Sequence, residues 1–405
     1  MKSYSAVIIG GGIVGLTLAA LLVKNDFTVA VVESKAPVFT ANNTSARVSA
    51  IHLTSAKLFD YLGVWDALEK NSAPLYEMKI WDHTHNAQLH FDSRDLNQLQ
   101  MGFIVDNQAI IKALLDKLIH NSHVDFFCPN KPAAFQRNDK KIILSLDNGE
   151  IIETDLIIGA DGAHSWVREQ MPISLKTRAY FQKAIIAVIE SQLPHNNIAY
   201  QKFLTTGPVA LLPLVEPNQT ALVWSADDAI SDALMTESDD ALSDALTKAL
   251  DFKLGKLAIK SQRSQFSLTM RHAEDYVSDN FALAGDAAHT LHPLAGLGVN
   301  LGLMDVACLT QTLMDARMQK KSLGDLRVLR RYSRWRIADN TAIIAVMCGL
   351  KEVFAIDASL FNIARSFGVN AIDHCTSIKS QLMKIAMGQS NDLPDFLQTS
   401  RFTVR

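Results

Sequence analysis

The glycine run Gly10-Gly11-Gly12-Ile13-Val14-Gly15, set between two apolar segments, restricts this chain more than any other feature. Residues 4–9 (YSAVII) read as a buried strand, 13–24 (IVGLTLAALLVK) as a helix with an apolar face, and 28–33 (TVAVVE) as a second strand. This order is the start of a βαβ unit that takes a dinucleotide. Gly10 permits the tight turn, Gly12 leaves no side chain between the backbone and a pyrophosphate, and Gly15 lets the helix close on the sheet. The free N–H groups of the first helical turn, at Ile13 and Val14, favour phosphate oxygens. Glu33 ends the second strand 18 residues after Gly15, placed to accept hydrogen bonds from adenosine ribose hydroxyls. This motif alone does not choose between NAD and FAD.

The glycines also break the apolar run from Lys2 to Val23, so no export signal is expected there. No uninterrupted stretch reaches the roughly 18 apolar residues of a membrane span. The net charge of −3 lacks the basic excess of a nucleic-acid binder. Cys128, Cys308, Cys348 and Cys375 are far apart. They predict buried thiols in a reducing cytoplasm rather than a disulfide framework or a zinc site, and no metal is expected.

Along the 405 residues the pattern is discontinuous. Residues 1–75, 100–176 and 268–322 read as three parts of one dinucleotide-binding domain. Between them, 76–99 and 177–267 read as an inserted, mostly antiparallel sheet, with a charged helical patch near 227–254. The remainder, 323–405, is helical by periodicity.

Two further motifs follow apolar strands. One is Asp161-Gly162-Ala163-His164-Ser165-Trp166-Val167-Arg168; the other runs from Gly285-Asp286 through His289, His292, Pro293, Gly296 and Gly298 to Val299-Asn300. Together they resemble the DG and GD motifs of the class A flavoprotein monooxygenases, the para-hydroxybenzoate-hydroxylase-like group. The form GDAAHTLHPLAGLGVNLGLMD is most similar to the branch of ubiquinone-biosynthesis hydroxylases, which has Gln where this chain has Leu297. Gln201-Lys202-Phe203 with GPVALLPL at 207–214, and LRRYSRWR at 329–336 with Asn340, resemble two more segments of that branch. The resemblance covers nearly the whole chain.

The resemblance implies an α/β fold. A Rossmann-like, glutathione-reductase-like FAD-binding domain would carry an inserted β-sheet substrate domain and C-terminal helices. It implies FAD as cofactor, NAD(P)H as co-substrate, and transfer of one atom of O2 to an electron-rich aromatic ring through a flavin C4a-hydroperoxide. By the same resemblance Asp286 bonds the ribityl or pyrophosphate end of FAD, with a hydroxyl as its partner because a carboxylate on phosphate would repel it; Asp161 and Arg168 form an ion pair beneath the DG loop, and Gly162 belongs to that loop. Arg47 and Gln108 contact the flavin, against the plainer readings of a solvated loop arginine and a surface helix residue. The amides of Gly298, Val299 and Asn300 would face the flavin pyrimidine oxygen and stabilise the charge of the reduced ring.

No catalytic residue stands out. His289 and His292 have the titration range of a base for a phenol, but their place in the GD loop, beside Pro293, favours a structural or flavin-side role. The apolar segment with Phe203, Leu211, Leu212, Pro213 and Leu214 suits a pocket for a lipophilic aromatic substrate with a prenyl tail, and equally a plain buried strand. Apolar stripes near 343–354 and 380–388 read as helices packed on the core; docking to the inner membrane face, to a quinone-biosynthesis complex or to a second copy is the other reading. Two functional alternatives stay open: a flavin oxidoreductase of this fold that does not hydroxylate, and a flavin-bearing assembly protein that has lost catalysis.

Overall fold

The computed structural model describes residues 1–39, 46–84, 87–138, 140–291, 298–355, 375–389 and 392–398. Its first layer is a six-stranded sheet in the order Val277–Ser278, Phe281–Leu283, Ile157–Gly159, Ala6–Ile9, Val29–Val32, Val124–Phe127. All pairs are parallel except the edge pair formed by Val277–Ser278. A parallel sheet is covered on both faces, so its strands carry nearly unbroken apolar runs; Val7, Ile8, Val31, Ile157 and Ile158 are all fully buried. Helix Ile13–Lys24 lies over this sheet and packs against helices Asn107–Leu118 and Gly298–Met318. The three strands at the centre, Ala6–Ile9, Ile157–Gly159 and Phe281–Leu283, each lead directly into one of the three motifs.

The second layer is a nine-stranded sheet. Its pairs are antiparallel except for Ile198–Leu204 with Glu77–Asp82, which run parallel. It is built mainly from residues 175–273, with Glu77–Asp82 and Gln88–Asp92 added at one end. The sheet outruns the segment expected from sequence. Strand Ser264–Ala273 continues past 267, and His289–Thr290 of the third motif pairs onto it through Arg271↔Thr290 and His272↔His289. The charged patch forms helices Asp228–Thr236 and Asp239–Ala249. Successive side chains in a strand point to opposite faces. One face therefore buries Ile185, Ala187, Leu211 and Leu222 with Leu242 and Leu246 of the second of these helices, and the other brings Val188, Ala199, Leu212 and Ala221 into the main core.

The long C-terminal helix packs against the first layer, and the last α-helix lies beside Asp95 and His52. In Leu326–Ala355, Leu329 and Tyr332 are fully buried, and the Tyr332 hydroxyl donates to Leu283 O at 2.6 Å. In Thr376–Ala386 the stripe packs inward at Met383, and Lys379 pairs with Asp95. Among the described residues no helix is long and apolar enough to cross a membrane.

One buried histidine makes this packing sensitive to pH. The His52 Nδ1 caps helix Leu53–Leu62 by accepting the Ser55 N–H at 3.0 Å, and its ring is shut in against Gly388. Burial, with a smaller push from the Arg336 charge, lowers its pKa to about 4. The folded value lies below the unfolded one, so this contribution is complete above about pH 6.5 and is lost as pH falls towards 4. The loss amounts to about 3 kcal/mol. The variant His52→Asn keeps a capping acceptor but cannot titrate. Urea unfolding of both proteins at pH 7 and pH 4.5 should show the wild type losing more stability than the variant; parallel losses would show that His52 is not the titrating group.

Candidate cofactor and substrate site

The first two motifs line one cleft of about 490 Å3, bounded by Gly10, Gly12, Glu33, Ser34, Asp161, Gly162 and His164. Gly12 takes the N-cap position of helix Ile13–Lys24 without any side-chain cap. Its first-turn N–H groups are therefore left for an anion. A Cβ built on Gly12 would meet nothing within 4 Å, which is the cradle a pyrophosphate needs. Glu33 is fixed rather than free. Its Oε2 accepts the Gly11 N–H at 2.7 Å, and its Oε1 accepts from the Lys35 N–H at 2.9 Å and Ser34 Oγ at 3.1 Å. Carboxylate oxygens offer about four lone-pair sites, so capacity remains for a ribose hydroxyl. The residues present thus fit the adenosine diphosphate half of FAD.

The expected Asp161–Arg168 ion pair is not formed. The Ser165-capped helix Trp166–Glu169 starts between them, and Asp161 Oδ2 turns to its first turn, accepting the Val167 N–H at 3.2 Å. Burial pushes the Asp161 carboxyl above the ordinary value, although Ser165 and the Val167 N–H act the other way. Arg168 instead donates through Nη2 to Ala163 O and through Nη1 to Ala287 O, both at 2.8 Å. It ties the second motif to the third.

The third motif meets the first through Val14. A Cβ on Gly285 would stand 3.1 Å from the Val14 side chain, and one on Gly302 2.7 Å. Asp286 sits in the short 3-10 turn Gly285–Ala287 with its side chain open to a second cavity of about 420 Å3. The protein crowding around it raises its pKa, against the charges of His289 and Arg271. Arg47 and Asn107 share this cavity; Gln108 is half-buried one residue further on, its N–H held by Asp106 at 2.8 Å. Gly298 begins helix Gly298–Met318 and Val299 is half-buried there. The Asn300 side chain is already committed: Oδ1 accepts the His52 N–H at 3.1 Å and Nδ2 donates to Ala50 O at 2.7 Å. What Asn300 can offer a flavin is its backbone N–H.

His289 does not reach either cavity. It is 1% exposed, and its Nε2 lies 2.6 Å from Asp305 Oδ2, so a base for the substrate is not what this geometry offers. His292, Pro293, Gly296 and Leu297 lie outside the described residues. Of the five apolar residues expected in a substrate pocket, Leu212 lines the cavity. Leu211 belongs to the core on the opposite face, Leu214 to the main core, and Phe203 and Pro213 are buried in the sheet. A contiguous run cannot all face one way in a strand. The wall is instead a row across four strands, Ile186↔Val223↔Ala210↔Gln201, extended by Met78 and Phe266. Period-two alternation in each strand is the signal that separates these residues from their neighbours.

Comparisons with known proteins show the family and the fold. A family model described as FAD binding domain matches residues 3–342. The chain is 32% identical to the ubiquinone hydroxylase UbiL of Rhodospirillum rubrum, over 96% of this chain and 90% of that one. It is 34% identical to the 3-demethoxyubiquinol 3-hydroxylase of Escherichia coli, over 94% and 97%. The p-nitrophenol 4-monooxygenase PnpA of Pseudomonas putida shares the fold, with a TM-score of 0.78 at 16% identity, covering 97% of this chain and all of that one.

Proposed function

The chain belongs to this FAD-binding family and is an FAD-dependent monooxygenase, and from that premise we propose that it hydroxylates a lipophilic aromatic, a polyprenyl phenol or benzoquinol of ubiquinone biosynthesis, with NAD(P)H as reductant and O2 as oxidant. The observation that carries the substrate class is the cavity beside Asp286. One wall is the apolar row of Ile186, Val223, Ala210, Leu212, Met78 and Phe266, and the polar residues of the lining are Arg47, Asn107, Tyr200, Gln201 and Asp286. A largely apolar wall with a few polar groups suits a ring whose oxygens must be oriented while its tail is not hydrogen-bonded.

FAD, when bound, supplies the redox and oxygen chemistry. The chain's own part is binding, tuning and exclusion of water. Glu33 and the amides after Gly12 hold the adenosine diphosphate half. Asp286 accepts from a hydroxyl of the cofactor, because a carboxylate set on a phosphate would repel it. The helix start at Gly298–Asn300 favours negative charge on the reduced ring, and the apolar wall keeps water from the reacting centre.

Purified protein supplied with NADH or NADPH, a prenylated phenol and 18O2 should give a product carrying one labelled oxygen. Product without label sinks the hydroxylase reading. Deletion of the gene should accumulate a quinone precursor one hydroxyl short; unchanged quinone content, with no paralogue to compensate, would remove the pathway assignment.

A further inference from the structure

We propose that Asp305 is a positioning residue for the cofactor: its buried carboxylate, clamped by Arg336 of the C-terminal helix, sets the turn at Gly285 and so aims Asp286. The proposal rests on FAD binding and not on the identity of the substrate.

Asp305 lies in helix Gly298–Met318 and is wholly buried. Its two oxygens divide their work. Among the described residues Oδ2 accepts from the GD segment, from the Gly285 N–H at 3.0 Å and His289 Nε2 at 2.6 Å. Oδ1 accepts from helix Leu326–Ala355, from Arg336 Nε at 2.9 Å and Asn340 Nδ2 at 3.1 Å. Arg336 is itself held, donating through Nη2 to Asn340 Oδ1 at 2.6 Å and through Nη1 to Asp339 Oδ2 at 2.9 Å. One carboxylate therefore joins two segments remote in sequence. It grips the GDAAH stretch at both ends, with Asp286 between the two grips. Arg168 adds a third hold at Ala287 O. The stretch it fixes contains a left-handed residue, Gly285 at φ +61°.

Stability alone does not call for this arrangement. A buried ion pair costs desolvation that well-packed apolar residues avoid, and replacing one wholesale is often neutral or stabilising. Burial works against the Asp305 charge, yet His289 and Arg336 more than offset it and hold the carboxyl well below the usual carboxylate range. A fixed anion with four donors does what an apolar filler cannot: it specifies one orientation of the turn.

The test is a double-mutant cycle on the full chain, read by FAD titration and by the absorbance spectrum of the bound flavin. Asp305→Asn should weaken FAD binding roughly tenfold or more, as expected for lost charge-assisted hydrogen bonds, and shift the flavin spectrum. In an Asp286→Ala background the same substitution should cost less than about twofold, because Asp305 acts through Asp286. Tyr332→Phe removes a bond in the same core, to Leu283 O, and should lower the melting temperature without changing FAD affinity. Unchanged affinity in Asp305→Asn, or the same loss with and without Asp286, overturns the proposal. If Asp305→Asn does not fold, Arg336→Lys is carried through the same cycle under the same criteria. It keeps the charge but lacks the guanidinium fork. FAD titration needs no substrate, so a failed hydroxylation assay and a failed positioning role are told apart.

Discussion

Replacing Gly12 with valine is expected to leave a folded protein that no longer retains FAD. Gly12 has φ −77° and ψ −175°, values open to any L-residue, and its built Cβ has no neighbour within 4 Å. The side chain would enter only the space above the first helical turn, where the pyrophosphate must approach the N–H groups. Apo-protein melting should move by a few degrees at most, since glycine is only one of several acceptable N-caps and valine costs about 1 kcal/mol there. FAD affinity should fall on the order of 100-fold, the scale of losing several charge-assisted hydrogen bonds at once. Gly15→Ala is the contrast. Its Cβ would stand 2.0 Å from Gly10 O, a backbone atom that cannot rotate away, so the helix must shift off the sheet. Destabilisation of about 3 kcal/mol or more is expected before any cofactor is added. Flavin-to-protein absorbance ratios and apo melting curves separate the two. Full flavin content in Gly12→Val, or an unmoved melting point in Gly15→Ala, would contradict these roles.

The contrast also marks what a sequence can carry. Gly10 to Glu33 is legible because strand, turn and helix follow one another and each residue's task is local. The strands before Asp161 and Gly285 are legible for the same reason, and all three end at the site because they are neighbours in one parallel sheet. Where side chains act across distance, the chain order misleads. Asp161 and Arg168 stand one short helix apart, which invites a pair, yet the carboxylate accepts that helix's Val167 N–H and the arginine reaches the Ala287 carbonyl. Asp305 stands at the end of a recognised motif, but its partner Arg336 is a helix away and its purpose emerges only when both oxygens are traced. The apolar run at 211–214 shows a different limit. Composition marks it as buried and says nothing of which face each residue takes; pairing with Leu222 and Val223 decides that.

That facing can be tested directly, and the expected effects are large. Ala210 and Leu211 are adjacent, but Ala210 opposes Val223 in the cavity wall while Leu211 packs with Leu222 on the other side of the sheet. Ala210→Trp places an indole inside a cavity of about 420 Å3. The substrate ring would then be displaced from its reacting position, and misplacement of this kind costs about 100-fold in rate. The variant should fold, keep its FAD and lose about that much kcat/KM, with NAD(P)H oxidation no longer matched by hydroxylated product. Leu211→Ala removes a side chain that is 1% exposed and should cost about 2–5 kcal/mol of stability through the cavity it leaves, while KM at a permissive temperature stays within about twofold. Melting curves, coupling ratios and KM for both variants decide the matter. A raised KM in Leu211→Ala with unchanged turnover in Ala210→Trp would mean that the substrate binds on the opposite face of the sheet, away from Asp286.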